Sequence, residues 1–547
     1  MNRLLLYTFA AGLFAQTVPP AAEQAHTKGD LTREREILVA AAAAGSADDR
    51  VSAELRLAWL DWRFYMADAE AISHFRSAEA LKAGLTTTYT ARARFETARG
   101  RYGDARAYAR RALSAATNRR EEQDASYAFA YATIEEAFET GKTAAARAAL
   151  DLITEVVRAE PGRFEPSRVM YGLALLTGQA ARADEALRSY HWGGSTAPLY
   201  PEAALAGKPE NVVAYSRFCR RVQRIADEHY RRIAIGEVKL PHTVLREPIL
   251  AEARKFWPAV ETGHALGEYL KRHFNAYLGF ENFGLTFGHH VLDEDVSFEQ
   301  YGHKASVGFI VLDSMVSNGY VTWLSDGRAI IGGWAGPPIV QVRRDDALLA
   351  WMAMNDPERR DKLNVRIASA AALDDDVARK RPVGYMAALS LRMYRRSGRE
   401  ILESLRAKGV PEAEVRLHFM LEFQRRHRGC VQAHEARHII DREVMKEGNR
   451  ELTAALSQVL FGPDPVTCQA GILGPNIGRR DNGTSEANML MLDAVAHWMD
   501  AHAEQIKALD RTRPALSQFD LLTHEQIRAA FRSMDPLAGG VLPKRAE

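Results

Sequence analysis

From Leu31 to Leu187 the sequence is dominated by Ala, Arg, Glu and Leu, with apolar residues returning every three or four positions. A chain with that period buries one apolar side only as an α-helix, because a strand needs alternation by two. Three segments within it look alike: "FETARGRYGDARAYARRAL" from Phe95, "AFETGKTAAARAALDLI" from Ala137 and "LLTGQAARADEALRSY" from Leu175. In each, a helix runs into a glycine (Gly100, Gly141, Gly178), a short turn follows, and a second helix opens with small alanines. The glycines stand 41 and 37 residues apart, a period at which helical hairpins stack into a solenoid.

This pattern resembles degenerate tetratricopeptide repeats, with the glycine and alanine positions present and the aromatic positions partly filled. The resemblance implies an α-solenoid over about 28–200 that recruits protein substrates or partners; a non-repetitive helical bundle is the alternative. "HWGGSTAPLYPEAALAGKPEN" (His191 to Asn211) is rich in Gly and Pro and breaks the pattern, so a helical connector is expected over 201–284. Between about Leu285 and Val342 alternating, β-branched and aromatic residues predict a β-rich subdomain over 285–345, with Ser325-Asp326-Gly327 as a hairpin turn. Helical periodicity then returns over 346–547. "PEAEVRLHFMLEFQRRHRG" reads as one helix, the segment around His434 as the next, followed by "NRELTAALSQVLFG" and "SEANMLMLDAVAHWMDAHAEQIKAL". The expected class is mainly α with an α+β portion.

The amino terminus, "MNRLLLYTFAAGLFAQ", has a basic Arg3, an apolar run and small residues around Ala15, the pattern of a secretory signal over 1–15. The run is shorter than the roughly 20 residues that span a bilayer, so no membrane span is expected beyond it, and the protein is placed outside the cytoplasm, periplasmic or secreted. With 72 basic against 70 acidic residues, the chain lacks the basic excess that nucleic acid demands. The cluster Arg425, Arg426, His427, Arg428 reads as a solvated helix end.

One short motif carries chemistry: HEARH, from His434 to His438. Residues four apart on a helix share a face, so both imidazoles can bind one metal. Two imidazoles, a third protein ligand and an open water position make a catalytic zinc site, with a glutamate beside the first histidine as proton acceptor. Val431, Ile439, Ile440 and Val444 give this helix a buried side.

The segment from Cys430 to about Leu460 resembles the active-site helix pair of the gluzincin-like zinc metallopeptidases. The resemblance implies a zincin-like α+β catalytic region, Zn2+ as cofactor, His434 and His438 as ligands, Glu435 as general base and a glutamate on the next helix as third ligand. Glu451 holds that position, with Asn449 as its helix cap. Only 12 residues lie between His438 and Glu451. A symmetric hairpin turning near Gly448 sets Glu451 opposite about residue 445, roughly 10 Å along the axis from His438 at about 1.5 Å per residue. The third ligand therefore stays open between Glu451, Glu486 and Asp441. Asp441 also suits a supporting role, orienting a ligand imidazole or pairing with Arg437.

Of the three cysteines, Cys430 and Cys468 flank the two helices, so a hairpin brings them together as a disulfide or as two buried thiols, leaving Cys219 unpaired. His497 and His502 are weaker candidates for stabilising a developing oxyanion. "GGWAGPP" (Gly332 to Pro338) is a candidate border of a substrate cleft, and "SDGRAIIGG" lacks the ending of a phosphate loop. Together these features predict an exported zinc-dependent peptidase acting on peptide or protein substrates. The competing class is a non-enzymatic helical-repeat interaction protein with a structural metal or none.

Overall fold

The computed structural model of the chain describes residues 18–28, 30–191, 209–234, 242–281, 284–313, 333–334, 338–342, 346–380, 386–445, 449–473 and 483–544. The signal-like segment, the Ser325–Gly327 turn and most of the Gly/Pro-rich stretch after His191 lie outside these residues. Among the described residues no helix is long and apolar enough to cross a membrane. The structure is mainly helical with a small sheet, and it divides into two compact units. The described part of the first covers 18–291 with 312–313, and that of the second 292–311 with 333–544.

The first unit opens with ten helices: α1 Pro20–Lys28, α2 Leu31–Ala44, α3 Ala47–Leu60, α4 Asp68–Leu81, α5 Thr86–Ala98, α6 Tyr102–Ala115, α7 Arg119–Thr140, α8 Ala146–Ala159, α9 Phe164–Leu176 and α10 Ala180–Tyr190. Gly100, Gly141 and Gly178 sit in the turns of three successive helix pairs with φ of 73°, 74° and 69°. A left-handed backbone there carries the Cβ penalty for any other residue, so glycine ends the helix where the chain must turn. The second helix of each pair buries its alanines: Ala105, Ala109 and Ala112 on α6, Ala146 and Ala149 on α8, Ala183 and Ala186 on α10. Side chains this small let helix axes approach closely, which explains the alanine-rich composition. α11 (Pro209–Ala234), α12 (Arg246–Phe256) and α13 (Gly263–Phe274) follow. Phe218, Trp257, Phe274 and Phe287 form their aromatic core.

Strand structure begins inside the stretch expected to be a helical connector. Asn275, at φ 49°, ends α13, and β1 (Ala276–Glu281) pairs antiparallel with the start of β2 (Gly284–Gln300), from Ala276↔His289 to Glu281↔Gly284. β2 continues into the second unit, where it turns through Tyr301 and Gly302 into β3 (His303–Leu312). Both turn residues have positive φ (50° and 82°), the conformation of a two-residue hairpin loop. β3 is followed in the sheet by β5 (Ile339–Val342) and then β4 (Gly333–Trp334).

The rest of the second unit is helical: α14 Asp346–Asn355, α15 Pro357–Arg379, α16 Ala387–Ala407, α17 Glu412–Val444, α18 Arg450–Phe461, α19 Pro465–Ile472, α20 Gly483–Ala501 and α21 His524–Arg532. Leu452, Leu456 and Val459 of α18 pack with Met491, Val495 and Met499 of α20 and Ile527 and Phe531 of α21. One feature differs from expectation. The two helices expected on either side of Gly429 are one continuous helix of 33 residues, α17. Gly429 is there for space rather than for a stop, since a Cβ at this position would lie 2.6 Å from the Pro463 ring. The basic cluster is accordingly mid-helix and not a helix end. Arg426 bonds Glu422 (3.0 Å) and Asp464 (2.8 Å), and His427 meets the Gln341 amide (3.1 Å).

Candidate metal centre

α17 and α18 form an antiparallel pair whose register is set by polar contacts. The Ser457 hydroxyl donates to the Ala433 carbonyl (2.8 Å), and Gln300 Nε2 at the end of β2 donates to the same carbonyl (3.0 Å). Farther along, the Thr453 hydroxyl donates to Asp441. The pairs Ala433–Ser457 and Asp441–Thr453 place the symmetry point of the hairpin ahead of Gly448, which itself lies outside the described residues. Glu451 therefore stands within about a turn of His438 rather than two turns beyond it. Asn449 caps α18 by accepting from Leu452 N (3.1 Å), as its position suggested.

His434 and His438 face the same side of α17 with ring centroids 5.0 Å apart. One Glu451 oxygen lies 3.5 Å from His438 Nε2 and the other 3.9 Å from His434 Nε2. Ligand atoms of the three residues all fall within 4.8 Å of one another. A tetrahedral ion with bonds of about 2.0–2.1 Å keeps its ligand atoms about 3.4 Å apart, so small side-chain rotations close this set around one ion.

The surroundings disfavour the protonated form of both imidazoles. Burial, with His438 beside it, pushes the His434 imidazole down to about 3. Burial also lowers His438, against the opposing pull of the Glu451 and Asp441 carboxylates. Neutral imidazoles keep a lone pair for a cation, which a protonated pair would not. Two imidazole nitrogens and one carboxylate oxygen are the donor types zinc accepts. Glu435 adjoins His434 in the chain and is 5 % exposed.

The other sequence candidates separate from this group. Both Asp441 oxygens are committed, one to Arg437 Nε (2.6 Å) and one to Thr453, so Asp441 neither ligates nor holds a histidine ring. Arg437 is fully buried and also forks onto Asp535 at 3.0 and 2.8 Å. Glu486, on α20, is outside the group. His497 and His502 lie along α20 and just past its end, and their Nδ1 atoms meet the carbonyls of Asp493 and Trp498 (2.8 Å each). Both are contacts to the carbonyl four residues back along the chain. Cys430 and Cys468 are disulfide-bonded, and Cys219 is free. The disulfide starts one turn before His434 and ends in α19, fastening the helix pair on the side away from its turn.

A second cluster had no motif to announce it. His524 Nε2 lies 3.1 Å from Glu400 and 3.7 Å from Asp464. Each carboxylate also carries an arginine, Arg396 on Glu400 and Arg426 on Asp464 (2.8 Å each), and Asp464 caps α19 through Val466 N and Thr467 N. With its negative charge already answered, this is a clasp joining α16, α19 and α21. The sequence signal was Asp464-Pro465, a cap residue followed by proline at a helix start.

Comparison with protein-family models, with curated proteins and with solved structures finds no match for this chain.

Proposed function

We propose that the protein is an exported zinc-dependent metallopeptidase of gluzincin type, with a tetratricopeptide-like helical domain that engages protein substrates or partners. The observation that carries this reading is the convergence of both His Nε2 atoms on the two Glu451 oxygens, at 3.5 and 3.9 Å. His434, His438 and Glu451 would hold the ion. A zinc ion in that position supplies Lewis acidity toward a carbonyl and lowers the pKa of water. Glu435 takes the proton from the attacking water and delivers it to the departing amine nitrogen. Its burial strengthens each of these electrostatic effects. The Cys430–Cys468 bond fits an oxidising compartment, in keeping with the signal-like amino terminus.

The test is metal content together with peptide cleavage. Purified chain should hold about one zinc, His434→Ala should lose it, and Glu435→Gln should keep it while cleavage of a casein digest falls by at least about a hundredfold. A folded wild-type chain that takes up no zinc, or a Glu435→Gln variant as active as wild type, ends this reading.

A further inference from the structure

A neutral imidazole carries one proton, and a ligand histidine binds a metal through whichever nitrogen lacks it. His434 turns Nε2 toward Glu451 (3.9 Å), so it serves a cation at that point only as the tautomer with its proton on Nδ1. That Nδ1 is buried and has no bonded partner among the described residues. Asp441, the carboxylate the sequence offered for holding a ring, is spent on Arg437 and Thr453. Another group has to answer the Nδ1 proton.

Gln458 of α18 is placed to do so. The Ser457 hydroxyl donates to the Ala433 carbonyl at 2.8 Å, which sets Gln458 and His434, the next residue on each helix, within about a turn of one another along the antiparallel pair. The Gln458 side chain faces the His434 imidazole as a hydrogen-bond acceptor and opposes the effect of burial on the ring. Its orientation is fixed from behind. Gln458 Nε2 donates to the Cys468 carbonyl (2.9 Å), and only the nitrogen end of an amide can meet a carbonyl. Oε1 is the end that remains for the ring. Cys468 is itself bonded to Cys430, one turn before His434, so the group that orients Gln458 is tied to the helix that carries the imidazole.

We infer that Gln458 is a positioning residue for the metal: its Oε1 accepts the Nδ1 proton of His434, which fixes the ring tautomer and aims the Nε2 lone pair at the ion. The inference rests on the metal-binding part of the proposed function and not on the peptidase chemistry. An imidazole with such an acceptor is oriented and is a better donor to a cation, and losing the acceptor weakens metal binding about ten- to a hundredfold. It also leaves a buried donor unanswered.

The test compares the zinc affinity of full-length wild type, Gln458→Leu and Gln458→Glu by competition with a chromogenic chelator. Leucine keeps the bulk and removes both hydrogen bonds. Glutamate keeps an acceptor for His434 but, as a carboxylate, has no proton for the Cys468 carbonyl. Gln458→Leu should bind zinc at least about tenfold more weakly than wild type, and Gln458→Glu as tightly or more tightly. Urea melts of the metal-free chains establish that the variants fold, and Gln458→Met repeats the comparison if the leucine variant does not. Gln458→Glu added to His434→Ala should restore no zinc binding, because the carboxylate acts through the imidazole and not as a ligand. Equal affinity of wild type and Gln458→Leu overturns the inference. So does an equal loss in Gln458→Glu, which assigns Gln458 to bracing Cys468 alone, and so does zinc binding restored to His434→Ala. A wild-type chain that binds no zinc ends the metal reading and this inference with it. Zinc affinity that depends on Gln458 without any peptide cleavage leaves the inference standing and removes the peptidase, and cleavage by a chain whose zinc affinity is indifferent to Gln458 does the reverse.

Discussion

Glu451 reaches to 3.5 Å from His438 across a gap of only 12 intervening residues. The contact exists because α17 ends at Val444 and the Thr453–Asp441 and Ser457–Ala433 bonds draw α18 back along it. Glu451 is itself the most exposed of the three, its side chain 39 % accessible against 16 % and 15 % for the histidines. Its carboxylate faces two imidazoles whose lowered proton affinity makes them poor salt-bridge partners.

A ligand role for Glu451 therefore makes a definite expectation. Glu451→Ala should weaken zinc binding by at least about a hundredfold while costing less than about 1 kcal/mol of stability without metal, because a half-exposed side chain leaves no cavity. Competitive chelator titration and urea melts of the metal-free chain measure the two effects. Unchanged zinc affinity would assign the third position to another group.

Much of this site was legible in advance because a five-residue helical motif fixes its own geometry. His434, Glu435 and His438 needed no tertiary information to be placed on one face. The register of α18 was not legible, since it depends on hydroxyls of Thr453 and Ser457 and on Gln300, more than 130 residues away in sequence from Ala433. Gly100, Gly141 and Gly178 gave correct turns because their left-handed backbone is a local property. Gly429 misled for the opposite reason: what it meets is Pro463, a tertiary neighbour. The Tyr301-Gly302 hairpin was missed because only its second residue is a strong turn former, and β1 was missed because Asn275 ends α13 without a glycine or proline to mark the change.

The buried Arg437 joins the motif helix to the carboxy-terminal segment. Its side chain is fully buried between Asp441 and Asp535, with bonds of 2.6 to 3.0 Å. Asp535→Ala should cost about 3–5 kcal/mol, since it strands part of a buried cation, whereas Asp535→Leu combined with Arg437→Met should recover a good part of that loss. Urea denaturation of the three chains gives the comparison. If the single variant is as stable as wild type, the ion pair is not what fastens this segment.

The disulfide closes a separation of 38 residues around the helix pair, which in the chain-entropy model amounts to about 4 kcal/mol. Replacing both Cys430 and Cys468 by Ala should lower stability by about 2–4 kcal/mol and leave metal stoichiometry unchanged, because neither sulfur belongs to the ligand group. Gly462→Ala should act on the same corner, as a Cβ there would meet the Gln458 carbonyl and the Cys468 sulfur. Loss of zinc from the double alanine variant, with the fold retained, would show that the disulfide positions the histidines as well as bracing the chain.

In the first unit, His74 gives a pH dependence with a fixed sign. Burial alone would lower its pKa, but Asp61 and Glu54 outweigh burial and hold it up at about 9. Its Nδ1 lies 2.6 Å from Glu54 and its Nε2 3.3 Å from Asp61, whose other oxygen accepts from Arg35 at 3.2 Å. An unfolded histidine loses its proton near about 6.5, so the folded chain binds the extra proton between the two values. The stabilisation is fully present below about 6.5 and is lost as pH rises through about 9, with a ceiling on the order of 3 kcal/mol. His74→Gln removes the protonatable ring, so the stability gap between wild type and variant should be widest at pH 6 and nearly closed at pH 10. Amide hydrogen exchange in α3 and α4, corrected for intrinsic rates, reads the gap locally. A gap that stays constant or widens from pH 6 to 10 would show that His74 holds these helices by packing and not by its charge.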